Sequence, residues 1–321
     1  MAPILAFTMD RSTCSRSTET RTYNSCRTRH CPKCQRVATE RWLPARRREL
    51  LPIPYFHVVF TLPHDLNPLA QSHPRLVYRL LFQAATSPLL RFGRDPQPLG
   101  GMLGVTAILH TWGQNLSQHV HVHCIVTGGA LSPDGRRWLP ARPGFLFPVR
   151  ALAKVFRGTY LAGLQRAFDR GDLHLTGSLA AVADPAAFTG WLAALRHHAW
   201  VVYCKPPFAG PEPVLAYLGR YTHRVALSNE RLLAFDENRV RFRWRDYADG
   251  DRLKIMDLDV DEFSAAFFST SSRTASCASG TSGCSPTVAA RGTSPAAAHS
   301  WRRHPSRPPR RRSPCGRSCS A

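Results

Sequence analysis

The sequence predicts an α+β fold, one central sheet covered by helices, with a small module ahead of it. Three observations carry this. Short runs of β-branched and aromatic residues alternate with stretches of helical apolar spacing and end in a hairpin pattern, the order expected when a sheet is layered with helices. No internal repeat interrupts that order. The 321 residues suffice for one sizeable core plus a small unit.

Along the chain, residues 1–22 show no convincing periodicity, and Tyr23–Gln35 is a compact Cys/His/Arg segment. Arg36–Arg48 interleaves basic residues with Val37, Trp42 and Leu43 and reads as a helix. Tyr55–Leu62 (YFHVVFTL), bounded by Pro54 and Pro63, reads as a buried strand. Leu76–Phe92 has helical spacing at Leu76, Leu80 and Leu81 and, after a break, at Leu89 and Leu90. Val105–Thr111 and His119–Thr127 are two further strands, and Asp134-Gly135 marks a turn. Ala151–Phe168 and Pro185–Leu195 are amphipathic helices, and Trp200–Cys204 is a short strand. Pro211-Glu212-Pro213 opens a helix over Val214–Thr222, because proline is tolerated in a first turn. Leu232–Phe235 and Val240–Trp244, separated by Asp236-Glu237-Asn238, form a hairpin.

The net charge of +22 points to a polyanionic partner. Nine arginines with no acidic residue follow Phe263, yet the remainder still carries an excess of +13, so the body itself is basic. No apolar run approaches the roughly 18–20 residues of a membrane span. Ala2–Thr8 lacks a basic start and a full apolar core, which argues against a secretion signal and for the cytosol. Of the ten cysteines, Cys26, Cys31 and Cys34 cluster, Cys124 and Cys204 sit in apolar strand-like runs, and four fall in the tail. Metal binding explains the cluster better than a disulfide framework does.

Three constellations could carry chemistry. Cys26-x4-Cys31-x2-Cys34 supplies most of a tetrahedral thiolate cage, with Pro32-Lys33 favouring a tight turn. Ser17 stands where a second Cys-x2-Cys partner would be, so Cys14 or His30 completes a zinc site. His119, His121 and His123 share one face of a strand, and three imidazoles are costly to bury unless something coordinates or protonates them. His110, at the end of the preceding strand, can join His121 and His123 as a third ligand if the two strands pair; Gln114 and His223 are runners-up. Tyr217 and Tyr221 lie at i and i+4 on a helix, with Arg220 and Arg224 on a neighbouring face suited to phosphates.

In this order, CRTRHCPKCQ, HVHVHCIVTGGAL and YLGRYTHRVALSNERL resemble the two-tyrosine HUH transposases, rolling-circle insertion-sequence enzymes with an N-terminal zinc-binding domain. The resemblance runs from about Tyr23 to Phe263 and includes KPPFAGPEPVLAYL and RDYADGDRLKIMDLDVDEF. It implies a nuclease fold with a central antiparallel sheet, the HUH pair on a central strand and the tyrosines on a facing helix. His121 and His123 match the HUH pair, and Tyr217 and Tyr221 match the paired nucleophiles; His119 is an extra histidine. The implied ion at the histidines is Mg2+ or Mn2+, with Zn2+ at Cys14, Cys26, Cys31 and Cys34.

The implied reaction is cleavage of single-stranded DNA through a 5′-phosphotyrosine. A phenol whose unperturbed pKa is near 10 needs help to attack at neutral pH, and Arg220, Arg224 or Lys205 could provide it. Arg27, Arg29, Lys33 and Arg46–Arg48 would contact the phosphates of transposon ends. No membrane partner is implied, and the protein is expected in the cytoplasm, associated with the nucleoid. An inactive transposase remnant, or a zinc-dependent DNA-binding protein without nuclease activity, is the rival class.

The expected organisation is a remodelled or truncated N-terminus over 1–22, a zinc-binding segment and basic helix over 23–50, the nuclease domain over 51–263, and a disordered tail over 264–321. The tail is rich in Ser, Ala, Thr and Cys, the products of GC-rich codons read out of frame. A frameshift at Ser264 is therefore expected, testable by sequencing the gene.

Overall fold

In a computed structural model of the chain, the described residues are 31–272 apart from 199, 209, 223–225 and 248. In chain order the elements are α1 (Pro32–Glu49), β1 (Tyr55–Thr61), α2 (Asn67–Ser72), α3 (Pro74–Arg94), β2 (Val105–Trp112), β3 (Gln118–Thr127), β4 (Gly129–Leu131), β5 (Trp138–Pro140), α4 (Val149–Asp169), α5 (Pro185–His197), β6 (Val202–Phe208), α6 (Pro211–Thr222), β7 (Leu232–Phe235), β8 (Arg239–Asp246), β9 (Arg252–Asp259) and α7 (Val260–Ser272).

The central sheet has four strands in the order β2-β3-β1-β6, every pair antiparallel. Its two faces follow from alternation along β1. Phe56, Val58 and Phe60 point to one side and are essentially fully buried. There they join Val122 and Cys124 of β3 and the inner residues of α3, α4 and α5 in the main core. Phe60 meets Phe156 of α4 edge to face with centroids 5.1 Å apart, and Phe168 stacks on Phe188 at 4.0 Å, which ties α4 to α5. Each such fully buried side chain contributes about 1.5–3 kcal/mol of transfer free energy. Gly163 lets α4 approach α3, since a Cβ there would lie 2.7 Å from Leu80 Cδ2.

The opposite face carries Tyr55 and His57 of β1, His121, His123 and Ile125 of β3, and Ile108 and His110 of β2, as the strand register dictates. It is covered by a smaller cluster in which Val214 and Tyr217 of α6 pack on Tyr55, Ile108 and Ile125, with Trp42 of α1 at the margin. One sheet therefore has an apolar face that makes the core and a histidine-bearing face roofed by the tyrosine helix.

Several elements differ from the sequence expectation. Pro32 and Lys33 open α1 rather than forming a tight turn: the Gln35 N–H donates to the Cys31 carbonyl at 3.0 Å, and proline costs little at the first helical position. α3 runs unbroken from Pro74 to Arg94 through Pro88, two residues longer at each end than the Leu76–Phe92 stretch read from the sequence. The Asp134-Gly135 turn joins two short strands, β4 and β5. A third strand, β9, extends the predicted hairpin into a separate sheet, β7-β8-β9; with Leu253, Ile255 and Asp257 exposed on one face, it lacks the continuous apolar run that marks a buried strand. Residues 264–272, expected in a disordered tail, instead continue α7 to Ser272, because Phe263, Ala266 and Phe267 pack on the Phe242 cluster of β8. Among the described residues no helix is long and apolar enough to cross a membrane.

Candidate active site

His110 and His121 face each other directly across the β2–β3 pair, and His123 follows two residues on along the same face. One ring nitrogen from each of the three lies within 4.8 Å of the other two. His110 and His123 are buried and His121 is half-buried. Among the described residues this is the one group of three or more His, Cys, Asp or Glu side chains so arranged. Nitrogens bound to one ion at about 2.1 Å sit roughly 3 to 4 Å apart, so small rotations of the rings suffice and the donor set fits a metal.

The tautomers support that reading. His121 Nδ1 lies 2.8 Å from the carbonyl oxygen of His119, an acceptor only, so Nδ1 carries the hydrogen and donates it. That leaves the lone pair of His121 on Nε2, available to a cation, the usual outer-sphere device for fixing a ligating histidine. His119 itself continues the row outward, its ring 4.9 Å from that of His121 and 5.5 Å from that of exposed His64. Burial, then the neighbouring His64, lowers the His119 pKa, which keeps the ring neutral.

A fourth imidazole, not singled out in the sequence, completes the site. His57 of β1 pairs with Ile125 on one side and Lys205 on the other, and only 2% of it is exposed. Its Nε2 lies 2.9 Å from His123 Nδ1. Tyr217 Oη, reaching down from α6, lies 2.7 Å from His57 Nε2 and 2.8 Å from His123 Nδ1. Burial, with the Lys205 charge second, pulls the His57 pKa from 6.5 to about 4, so at neutral pH the ring is uncharged. Its Nδ1 is buried and makes no hydrogen bond within the described residues. The available signal was a lone histidine in the apolar run YFHVVFTL, on the face opposite Phe56, Val58 and Phe60.

The structure thus brings together His110, His121, His123 and Tyr217, four of the residues singled out in the sequence. Lys205 is exposed on β6 beside His57. The Gln114 side chain donates to Tyr247 Oη at 3.3 Å and its carbonyl accepts from Arg231. Cys31 and Cys34 flank the start of α1, both half-buried. Tyr221 and Arg220 belong to α6 and Lys33 to α1, but their side chains lie outside the described set, as do Cys14, Ser17, Cys26, Arg27, Arg29, His30, His223 and Arg224 altogether.

α1 is pressed against the tyrosine helix. A Cβ added to Gly219, midway between the two tyrosines, would lie 3.3 Å from both Leu43 Cδ2 and Thr39 Cγ2 of α1. The helix that follows the cysteines and the helix that carries the phenols therefore share one contact surface.

Comparison with known proteins points the same way. Residues 104–269 match the family described as "Putative transposase", and residues 5–62 match the "Transposase zinc-binding domain". The second match takes in all four candidate zinc cysteines and the stretch ahead of Tyr23. The chain is 52% identical over 245 residues to "Putative transposase y4qJ" of Sinorhizobium fredii (strain NBRC 101917 / NGR234), an alignment covering 76% of this chain and 62% of that protein. It is 28% identical over 228 residues to "Transposase for insertion sequence element IS801" of Pseudomonas savastanoi pv. phaseolicola, covering 70% of this chain and 52% of that protein. The chain thus spans between about half and two thirds of the length of these relatives. No solved structure matches it.

Proposed function

Because this chain belongs to the two-tyrosine HUH transposases, insertion-sequence enzymes with a zinc-binding domain, we propose that it cuts and rejoins single-stranded DNA at transposon ends during rolling-circle transposition. The observation that supports this best is the 2.8 Å contact of Tyr217 Oη with His123, which puts a phenol from α6 against the histidine cluster of the sheet. Tyrosine and imidazoles so joined, in a basic protein, suit a phosphodiester substrate.

In this reading His110, His121 and His123 would hold a divalent ion, magnesium or, more in keeping with imidazole donors, manganese. When bound, such an ion withdraws charge from the scissile phosphate. The phenol oxygen of Tyr217 or Tyr221 attacks phosphorus and loses its proton, and the bond from phosphorus to the 3′ oxygen breaks. The leaving oxygen takes up a proton as a free 3′-OH. The product is a 5′-phosphotyrosine, whose ester keeps the energy of the cut bond for rejoining. A 3′-OH attacking that ester restores a DNA diester and frees the tyrosine. With two tyrosines on one helix, one strand end can be held while another is cut.

Lys205, Arg220 and Arg224 are proposed to bind phosphates beside the cut, and Arg27, Arg29 and Lys33 to bind the transposon end from a zinc module built on Cys14, Cys26, Cys31 and Cys34. The place of work is nucleoid DNA in the cytoplasm. Incubation of the full chain with labelled single-stranded DNA carrying a transposon end, followed by a denaturing gel, tests the reading. A manganese-dependent covalent adduct lost only when both tyrosines become phenylalanine is expected; salt-sensitive, metal-independent binding with no adduct would instead mark a DNA-binding protein.

A further inference from the structure

The strand-cutting reading leaves open which tyrosine acts first, and it gives His57 no role. Three polar atoms, Tyr217 Oη, His57 Nε2 and His123 Nδ1, lie within 2.7–2.9 Å of one another in a buried pocket under α6. A hydrogen-bond count orders them. If His123 gives Nε2 to a cation, its hydrogen is on Nδ1, from which it donates to the phenol oxygen. At 2.7 Å the phenol can in turn donate its hydrogen to His57 Nε2, which as an acceptor carries its own hydrogen on Nδ1, the buried nitrogen that makes no hydrogen bond within the described residues. The two imidazoles thus clamp one phenol from opposite hydrogen-bonding senses, and the tilt of the His57 ring against Tyr217, with centroids 4.5 Å apart, adds packing to the clamp. Tyr221 starts one helical turn, about 6 Å, further along α6.

Resting on that reading, we infer that His57 is a positioning residue that holds the Tyr217 hydroxyl at the histidine cluster, so that Tyr217 rather than Tyr221 makes the first cut. His57 acts by fixing where the phenol oxygen sits. Loss of such alignment costs up to about a hundredfold in the rate of the aligned step. It does not act on DNA affinity, because a side chain 2% exposed beneath α6 has little surface to offer a strand.

The test uses the full chain, manganese and a single-stranded oligonucleotide with a bridging sulfur at the cut site, which traps the first covalent adduct for peptide mapping. In the wild type the first adduct maps to Tyr217. His57→Phe lowers the rate of Tyr217 attachment about a hundredfold and raises the share on Tyr221, with unchanged dissociation constant for the oligonucleotide. His57→Gln, which keeps an acceptor at similar reach, retains most of the Tyr217 attachment. A first adduct on Tyr221 in the wild type, or an unchanged tyrosine share in His57→Phe, overturns the inference and leaves strand cutting intact. Equal losses in both variants, with equal drops in melting temperature, reduce His57 to packing and also overturn it. No adduct at either tyrosine in the wild type overturns the strand-cutting reading and this inference with it.

Discussion

His110 and His121 owe their meeting to a register in which one faces the other across β2 and β3, and His123 joins them through the two-residue alternation of its strand. Removing one of three donors should be felt by a cation directly. His110→Ala is expected to lower manganese affinity by roughly tenfold or more, whereas Gln114→Ala, whose side chain is engaged with Tyr247, leaves it unchanged; titration calorimetry of both variants decides between these two of the three ligand candidates. His57 carries a pH dependence of its own. Its pKa falls from 6.5 free to about 4 in the fold, so between those values the unfolded chain binds a proton that the native state refuses. Stability of the metal-free protein therefore declines as pH drops from about 6.5 towards 4, by on the order of 3 kcal/mol if the ring stays buried. Urea midpoints across that range, measured for the wild type and His57→Gln, check it; identical slopes would remove His57 from the account.

At the scale of elements, α6 is held between the sheet below and α1 beside it. Val214 and Tyr217 anchor its inner side, and Gly219 admits Leu43 and Thr39 on its outer side. A larger side chain at that crossing should push the tyrosine helix off its seat: Gly219→Val is expected to cost about 1–3 kcal/mol of stability through overpacking and to slow adduct formation. Gly158, on an exposed turn of α4, has nothing within 4 Å of where a Cβ would be. Gly158→Ala should therefore stabilise the fold by about 0.5–1 kcal/mol through helix propensity with no change in adduct formation. A rate of adduct formation that does not distinguish the two variants would mean the α1–α6 contact is irrelevant to the seating of Tyr217. α1 and α6 themselves were legible in the sequence, the first from its interleaved apolar residues and the second from its proline start. Their crossing was not, because a glycine in a helical pattern reads as weakness until a neighbour is found filling the space.

Over the whole molecule the positive excess is unevenly placed. In the β7-β8-β9 sheet most of the cations are matched: Arg239 and Arg241 pair with Asp257, Arg245 with Asp251, and Lys254 with Asp246 and Asp249. Along α1, exposed Arg41, Arg47 and Arg48 make no such pair within the described residues. Binding to single-stranded DNA is therefore expected to depend on α1. Arg47→Ala with Arg48→Ala should weaken it and reduce the slope of log affinity against log salt by about 1.4, while Arg239→Ala with Arg241→Ala changes the slope little. Fluorescence anisotropy at several salt concentrations separates these outcomes, and equal slopes for the two pairs would contradict the placement.

The amino-acid sequence by itself determined the parts that depend on local chemistry. The period-two histidines of His119–His123 defined a strand face, the i, i+4 tyrosines defined a helix face, and Cys26-x4-Cys31-x2-Cys34 announced a metal-binding segment whose family match now covers residues 5–62. What only the tertiary structure decided is which of those faces meet. His57, 66 residues before His123, entered the site because β1 lies beside β3, and Tyr217 entered because α6 lies across that same face. The physical reason is that strand order and helix docking are settled by burial of side chains far apart in the chain, such as Val214 against Ile108 and Ile125, and no local pattern encodes a pairing partner.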